Sequence, residues 1–323
     1  MIILPLLSAL CESTESRWNM YFGNESKPSN ITNWDSEVID FSNYAESNGH
    51  NYMIEECTFQ NMRITPIEVK VPRSILIESS SFENCTTENK GGGIFSDKAS
   101  KFVLDKVTAC KCSAKESGHF IFFLSTTFKS YMTSICKCGK EDDSISSTTI
   151  LVNNGDPGYI KCCNSTQNRA KHTSGIALHS SSSVSYKINY ATISNNTQSK
   201  QTISLANGVF NFTSCNINSN KDSTLFSLSK VVMYIRKTSI YDNSGVTGSY
   251  SVFQSSQGTG DGLSNIYIKD VYIDSTSSSG QVDLSIIHTF NDLNALKPVV
   301  TCPPELPYTI PRKVERINNV YKK

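Results

Sequence analysis
The chain has 323 residues, with 30 Lys and Arg against 29 Asp and Glu, a formal net charge of +1 and 18% charged residues. That balance excludes the strongly basic footprint of a nucleic-acid binder, so no nucleic-acid partner is expected. Ser and Thr together number 75 and Asn 28, a polar and weakly charged exterior that suits one elongated domain better than two.

Taken in chain order, residues Ile2 to Leu10 are mostly apolar and lead into Cys11, but no Lys or Arg precedes them. Residues 1–35 are read as a leader or possible signal segment and N-terminal cap. A repeat follows. Ile54-Glu-Glu-Cys-Thr-Phe59-Gln-Asn61 returns as Ile77-Glu-Ser-Ser-Ser-Phe82-Glu-Asn84, with its apolar, acidic, aromatic and asparagine positions in register. The Phe82 place passes to Ala109, Ile135 and Cys162, then to Ile193, Ile217, Ile240 and Ile273. Cysteine marks the same period, with Cys110 and Cys112 recurring as Cys136 and Cys138 and then as Cys162 and Cys163. About nine units result, and a fixed recurrence of this length means that one unit stacks on another.

The unit is a β unit. Phe102-Val-Leu104, Phe120-Ile-Phe-Phe-Leu124, Tyr186-Lys-Ile188, Val209-Phe-Asn-Phe212, Val231-Val-Met-Tyr-Ile235 and Ile266-Tyr-Ile268 are β-branched or aromatic runs divided by Ser, Thr, Asn and Gly. No stretch keeps apolar residues at i, i+3, i+4 and i+7 long enough for a helix, and no leucine-rich frame occurs. Two or three short strands plus turns fill one coil of a single-stranded parallel β-helix, an all-β solenoid predicted over residues 36–290. Equivalent residues then stack about 4.8 Å apart, so Phe59, Phe82, Ile135, Ile193, Ile217, Ile240 and Ile273 form an inward ladder. Asn61 and Asn84, with Asn196, Asn220 and Asn243 one place later, fall at corners, where Asn tolerates left-handed backbone and can bond to the next coil. Five of the 10 prolines lie between Pro298 and Pro311, which marks 291–323 as a Pro-rich basic tail. No apolar stretch reaches the roughly 18 residues that a membrane helix needs.

Ser81-Phe-Glu-Asn-Cys85 followed by Gly91-Gly-Gly-Ile94, with Ser117-Gly-His-Phe-Ile121 and Ser174-Gly-Ile-Ala-Leu178 as weaker copies, resembles the Phe-x-x-Asn and Gly-Gly-Ala-Ile repeat of the chlamydial polymorphic outer-membrane proteins. It is also similar to cysteine-bearing repeats in surface proteins of parasitic protists. The resemblance implies a right-handed parallel β-helix of pectate-lyase-like shape, secreted or held at a cell surface, and adhesion to host or cell-surface glycans or proteins. It carries over no catalytic residue, and no cofactor is expected.

The cysteines admit three readings. Cys85, Cys112 and Cys138 share one place in adjacent coils, and neighbouring strands lie within the Cα range of roughly 4.4–6.8 Å that a disulfide accepts. In a secreted chain Cys85 with Cys112, Cys112 with Cys138, or Cys110 with Cys136 could bridge. Unpaired thiols serving as small apolar spacers, Cys162 and Cys163 among them, are the second reading. A tetrathiolate of Cys110, Cys112, Cys136 and Cys138 is the third, weakened by the lack of Cys-x-x-Cys spacing. Sequons occur at Asn24, Asn30, Asn164, Asn195 and Asn211, with a sixth at Asn84, whose amide is expected to point inward and exclude a glycan.

The same kind of rod hosts polysaccharide lyases and glycoside hydrolases, whose carboxylates sit on adjacent coils. Asp142 and Asp143, with His119 one coil away, are the weak catalytic candidates. Arg236-Lys237 is basic enough for such a site, but no Asn-Thr-Asp or Gly-His-Gly segment accompanies it. Insertions are expected from Gly245 to Leu263 and between Asn164 and Ser174, and Tyr241, Tyr250, Tyr267 and Tyr272 are available to stack on sugars.

Overall fold
The computed structural model describes residues 14–292 except 24, 33–38, 41–50, 71, 126, 141–146, 181–183, 198–199, 246–249 and 256–262. Three strands make each coil. A strand such as Ser74–Glu78, a shorter one such as Ser81–Glu83 and a third such as Ile94–Ser96 follow one another, and each pairs in parallel with its equivalents in the coils before and after. The result is an all-β parallel solenoid of about 8 turns, roughly 38 Å long at about 4.8 Å per turn. Pairing already includes Pro28–Thr32, within the stretch read as leader and cap, and the last strand ends at Phe290.

Alternate side chains point inward, as the period of two requires. Phe59, Phe82, Ala109, Ile135, Ser165, Ile193, Ile217, Ile240 and Ile273 are successive register partners. The ladder is therefore as expected except at Cys162, whose assigned place belongs to Ser165. The coil from Ile135 to Ser165 is longer than those on either side of it, the extra length falling after Cys138. Thr166, not Cys162, stands opposite Cys136. The expected insertion between Asn164 and Ser174 is likewise absent, since Asn164–Thr166 is a regular strand of the coil. Ser165 is smaller than its neighbours, and a small apolar void bounded by Ile160, Cys163, Ile176, Ile188, Ala191 and Ile193 remains beside it.

Aromatic rings fill the rest of the axis. Phe59 and Phe82 stack with centroids 4.8 Å apart, and Phe82 meets the edge of Phe120 at 5.3 Å. Two of the glycines of Gly91-Gly-Gly-Ile94 have separate causes: Gly91 has left-handed backbone, φ +70°, and a Cβ on Gly93 would lie 2.5 Å from the Phe120 ring of the next coil.

The short strand turns at both ends through residues with left-handed backbone. Ser79, Lys106, Met132 and Cys162 precede it and Asn61, Asn84, Lys111 and Asn195 follow it, with φ between 47° and 57°. Asn61 and Asn84 thus hold the conformation expected of them. One residue further on, the chain points inward, and the corner is occupied in turn by Cys85, Cys112, Cys138, Asn168, Asn196, Asn220 and Asn243. Here asparagine works by hydrogen bonding. Its side-chain oxygen accepts the backbone N–H of the preceding corner residue, from Cys138 to Asn168 at 2.9 Å through Asn220 to Asn243 at 3.1 Å. Its amide nitrogen donates to a backbone carbonyl one coil back, that of Ile135, Ser165, Ile193 and Ile217 at 3.2, 2.9, 2.9 and 3.0 Å. Cysteine does the same weakly: the Cys85 thiol donates to the Phe59 carbonyl at 3.4 Å and the Cys112 thiol to that of Phe82 at 3.8 Å.

Candidate functional site
The five-residue strands build one long side of the rod, and its outward rows change character along the axis. In the first coils the outward residues are Met53, Leu76 and Val103, register partners that are almost fully buried. They are covered by α1, Thr14–Phe22, which lays Trp18 and Phe22 across them. Beside this apolar strip Glu55, Glu78 and Asp105 stack on three adjacent coils. Arg17 of the helix reaches Glu55 and Glu78, each at 2.8 Å, and the Tyr21 hydroxyl donates to Asp105 at 2.9 Å. Lys106 approaches Glu78 at 3.7 Å. Glu78 is 1% exposed and Asp105 4%. Burial pushes both carboxyls above their ordinary range, against the lowering pull of Arg17 on Glu78 and of the Tyr21 hydrogen bond on Asp105. Burial, followed by the Asp105 charge, likewise pushes the Tyr21 phenol up.

Beyond the helix the same side opens. One row runs Lys129, Tyr159, Lys187, Asn211, Tyr234, Tyr267, and the adjacent row Tyr131, Lys161, Asn189, Thr213, Arg236, Lys269. Lys161, Lys187, Arg236 and Lys269 are exposed, and the tyrosines of both rows are half-buried. Ring contacts hold the aromatics upright: Tyr21 with Tyr131 at 5.3 Å, Tyr131 with Tyr159 at 5.4 Å, and Tyr234 stacked on Tyr267 at 4.9 Å. The Arg236 guanidinium lies 5.6 Å from the Tyr234 ring centre. Neither row carries a carboxylate between Lys129 and Lys269, so five cations share the surface with tyrosine faces. Acids bordering the rows are engaged elsewhere: Asp105, the register partner of Tyr131, accepts from Tyr21 at 2.9 Å, Asp156 accepts from Thr127 at 2.8 Å and Asp270 meets His288 at 2.9 Å.

The cysteines divide by face. Cys85, Cys112 and Cys138 are fully buried at the inward corner, where hydrogen bonding between neighbouring thiols and then burial push the Cys85 thiol up. Cys163 and Cys215 are also interior, and burial pushes each to about 12. Cys110 and Cys136 are register partners on the outward side of the short strand and half-buried. A tetrathiolate of Cys110, Cys112, Cys136 and Cys138 cannot assemble, because the two pairs lie on opposite faces of the strand wall. Among the described residues no group of three or more His, Cys, Asp and Glu is placed to hold a metal ion. Cys162 and Cys163 stack on no cysteine: in the coils before and after, their places hold Met132 with Thr133 and Tyr190 with Ala191. The nine described cysteines, Cys57 included, are in the thiol form.

His119 is an interior residue, 0% exposed. Its Nδ1 accepts the Ala114 backbone N–H at 3.2 Å, and burial holds its pKa down at about 4. It is a neutral group packed in the interior. Asp142, Asp143 and Asn24 lie outside the described residues. Asn30 and Asn195 are exposed, and Asn164 and Asn211 are half-buried on outward strand positions. Asn84 is exposed, contrary to expectation, because its left-handed backbone turns the amide outward, where it donates to Asn61 at 2.7 Å. Tyr250 packs against the core, whereas Tyr241 and Tyr272 meet on the neighbouring side at 6.2 Å.

The stacked carboxylates were missed in the sequence although their signal is there: the acidic position after Ile54 and Ile77 recurs after Leu104. The basic and aromatic rows carry no motif, because each contributes one residue per coil. Compared with family models, curated proteins and solved structures, the chain matches none. Among the described residues no helix is long and apolar enough to cross a membrane.

Proposed function
We propose that this solenoid is a non-catalytic binding scaffold, secreted or displayed at a cell surface, that holds acidic glycans of a host or neighbouring cell along its open long side. The observation that carries the reading is the pair of outward rows from Lys129 and Tyr131 to Tyr267 and Lys269. Cations recur there every coil or two beside tyrosine rings, on a spacing set by the backbone. A linear polyanion lying along the axis meets a charge or a ring at each step of about 4.8 Å, except at the coil of Asn211 and Thr213. Tyrosine offers sugars an apolar face with a polar edge, and Arg and Lys pair with carboxylate or sulfate groups. The resemblance to polymorphic outer-membrane protein repeats and to protist surface proteins supports adhesion and right-handed winding of pectate-lyase-like shape, and belongs to the same reading.

The test is binding of the full chain to heparin, polygalacturonate and a neutral glucan. Both polyanions should retain it, less so at higher salt, because exposed charges are screened beyond roughly 8 Å at physiological ionic strength. The double charge reversal K161E/R236E should weaken retention at least tenfold without loss of fold. Equal binding to the neutral glucan, or none to either polyanion, would overturn the proposal. The alternative, a polysaccharide lyase or glycoside hydrolase, draws on the stacked Glu55, Glu78 and Asp105. With α1 across them, substrate reaches them only after the helix lifts, and polygalacturonate turnover lost in E78Q would favour it.

A further inference from the structure
We propose that Cys110 and Cys136 form a reversible dithiol couple on the outside of the rod, with Cys110 as the nucleophile and Cys136 as the resolving thiol in exchange with small disulfides. The two are direct partners in parallel register, about 4.8 Å apart in backbone, within the range that a disulfide spans without backbone movement. They are half-buried, while the cysteines of the inward corner are sealed in the core. Their thiols hydrogen-bond to one another, and exposed Lys111 and Lys137 follow them at the two left-handed corners. The other neighbours along the row are Glu83 before Cys110 and Thr166 after Cys136. The hydrogen bond from Cys136, with smaller help from the two lysines, brings the Cys110 thiol down to about 7, against the opposing effects of burial and Glu83. Thiolate is therefore available near neutral pH at Cys110.

The chemistry balances within the named reactants. The Cys110 thiolate attacks one sulfur of a small disulfide, breaks its S–S bond and expels one thiolate, which takes the Cys136 proton. Cys136 then attacks the Cys110 sulfur of the mixed disulfide and expels the second thiolate, which is protonated by water. One small disulfide is reduced to two thiols, and the protein pair is oxidised by two electrons to a Cys110–Cys136 disulfide.

The full chain is incubated with oxidised glutathione at pH 7 and its cysteines are followed by peptide mass mapping, which separates the pair from Cys162, Cys11 and Cys302. The expected product is a linked Cys110–Cys136 peptide that dithiothreitol reverses. C136S should accumulate glutathione on Cys110. C110S should be modified at Cys136 about threefold or more slowly, the thiolate advantage of Cys110 being partly offset by its weaker nucleophilicity. Circular dichroism of both variants checks that the fold is kept. A mixed disulfide that persists in the unaltered chain, equal rates at Cys110 and Cys162, or faster modification at Cys136 would overturn the assignment.

Discussion
At the scale of single residues, one inward corner changes chemistry along the rod while its geometry stays constant. From Cys85 to Cys138 the corner is closed by thiols, which are weak donors to the carbonyl of the coil before. From Asn168 to Asn243 it is closed by amides that both donate and accept. Asn196→Ala should leave the Asn168 N–H without its partner in the interior and take one donor from the Ser165 carbonyl, and a buried unpaired group costs about 1–3 kcal/mol. On that scale a loss of about 3 kcal/mol in urea unfolding is expected, against less than about 1 kcal/mol for Cys85→Ser, where the hydroxyl still donates. Equal losses would mean that the amides contribute volume alone. The asparagines could be read from sequence as corner residues, but not as two kinds. Asn61, Asn84 and Asn195 supply the left-handed turn, whereas Asn196, Asn220 and Asn243, one place later, supply hydrogen bonds. One residue separates these roles, and only the direction of the side chain tells them apart.

At the scale of elements, α1 is the part that the repeat could not announce. It belongs to no coil, and its sequence places Arg17, Trp18, Tyr21 and Phe22 on one face against residues three coils deep. Its docking should depend on pH. Glu78 and Asp105 have pKa values raised by burial beneath it, so the docked state holds protons that the undocked state has released. The stabilisation is complete below about pH 4, the ordinary carboxylate value, and is lost as pH rises through the raised values. Arg17 and Lys106 oppose the change, while the Glu55 charge adds to the upward push on Glu78. In a Trp34→Phe background, Trp18 emission should move toward that of exposed indole as pH rises, and Glu78→Gln should flatten the profile. A helix that docks more tightly with rising pH would show that the Arg17 ion pairs outweigh burial.

At the scale of the whole molecule, the solenoid was legible because a coil repeats its apolar positions whatever it does at the surface. Phe59, Phe82, Ile193, Ile217 and Ile240 keep their places although their coils differ in length. Register failed at Cys162, where a longer coil let two adjacent cysteines imitate the period. The basic and aromatic side was illegible for the opposite reason: Lys161 and Arg236 are distant in the chain and come onto one row only through winding. Phe82→Asp should test the stacked core directly. A carboxylate between Phe59 and Phe120 has no partner, and an unpaired buried charge costs several kcal/mol. Amide exchange should rise across the first four coils and least at Ile240, whereas a uniform rise would mean that the rod unfolds as one unit.

Parallel pairing of every coil with the next has a mechanical consequence. Hydrogen bonds between turns point along the rod, so tension applied to its two ends loads them by peeling, a few at a time. A coil such as that from Phe59 to Phe82 adds roughly 80 Å of extended chain when it lets go. Pulled from its two ends, the described rod should therefore yield coil by coil rather than all at once.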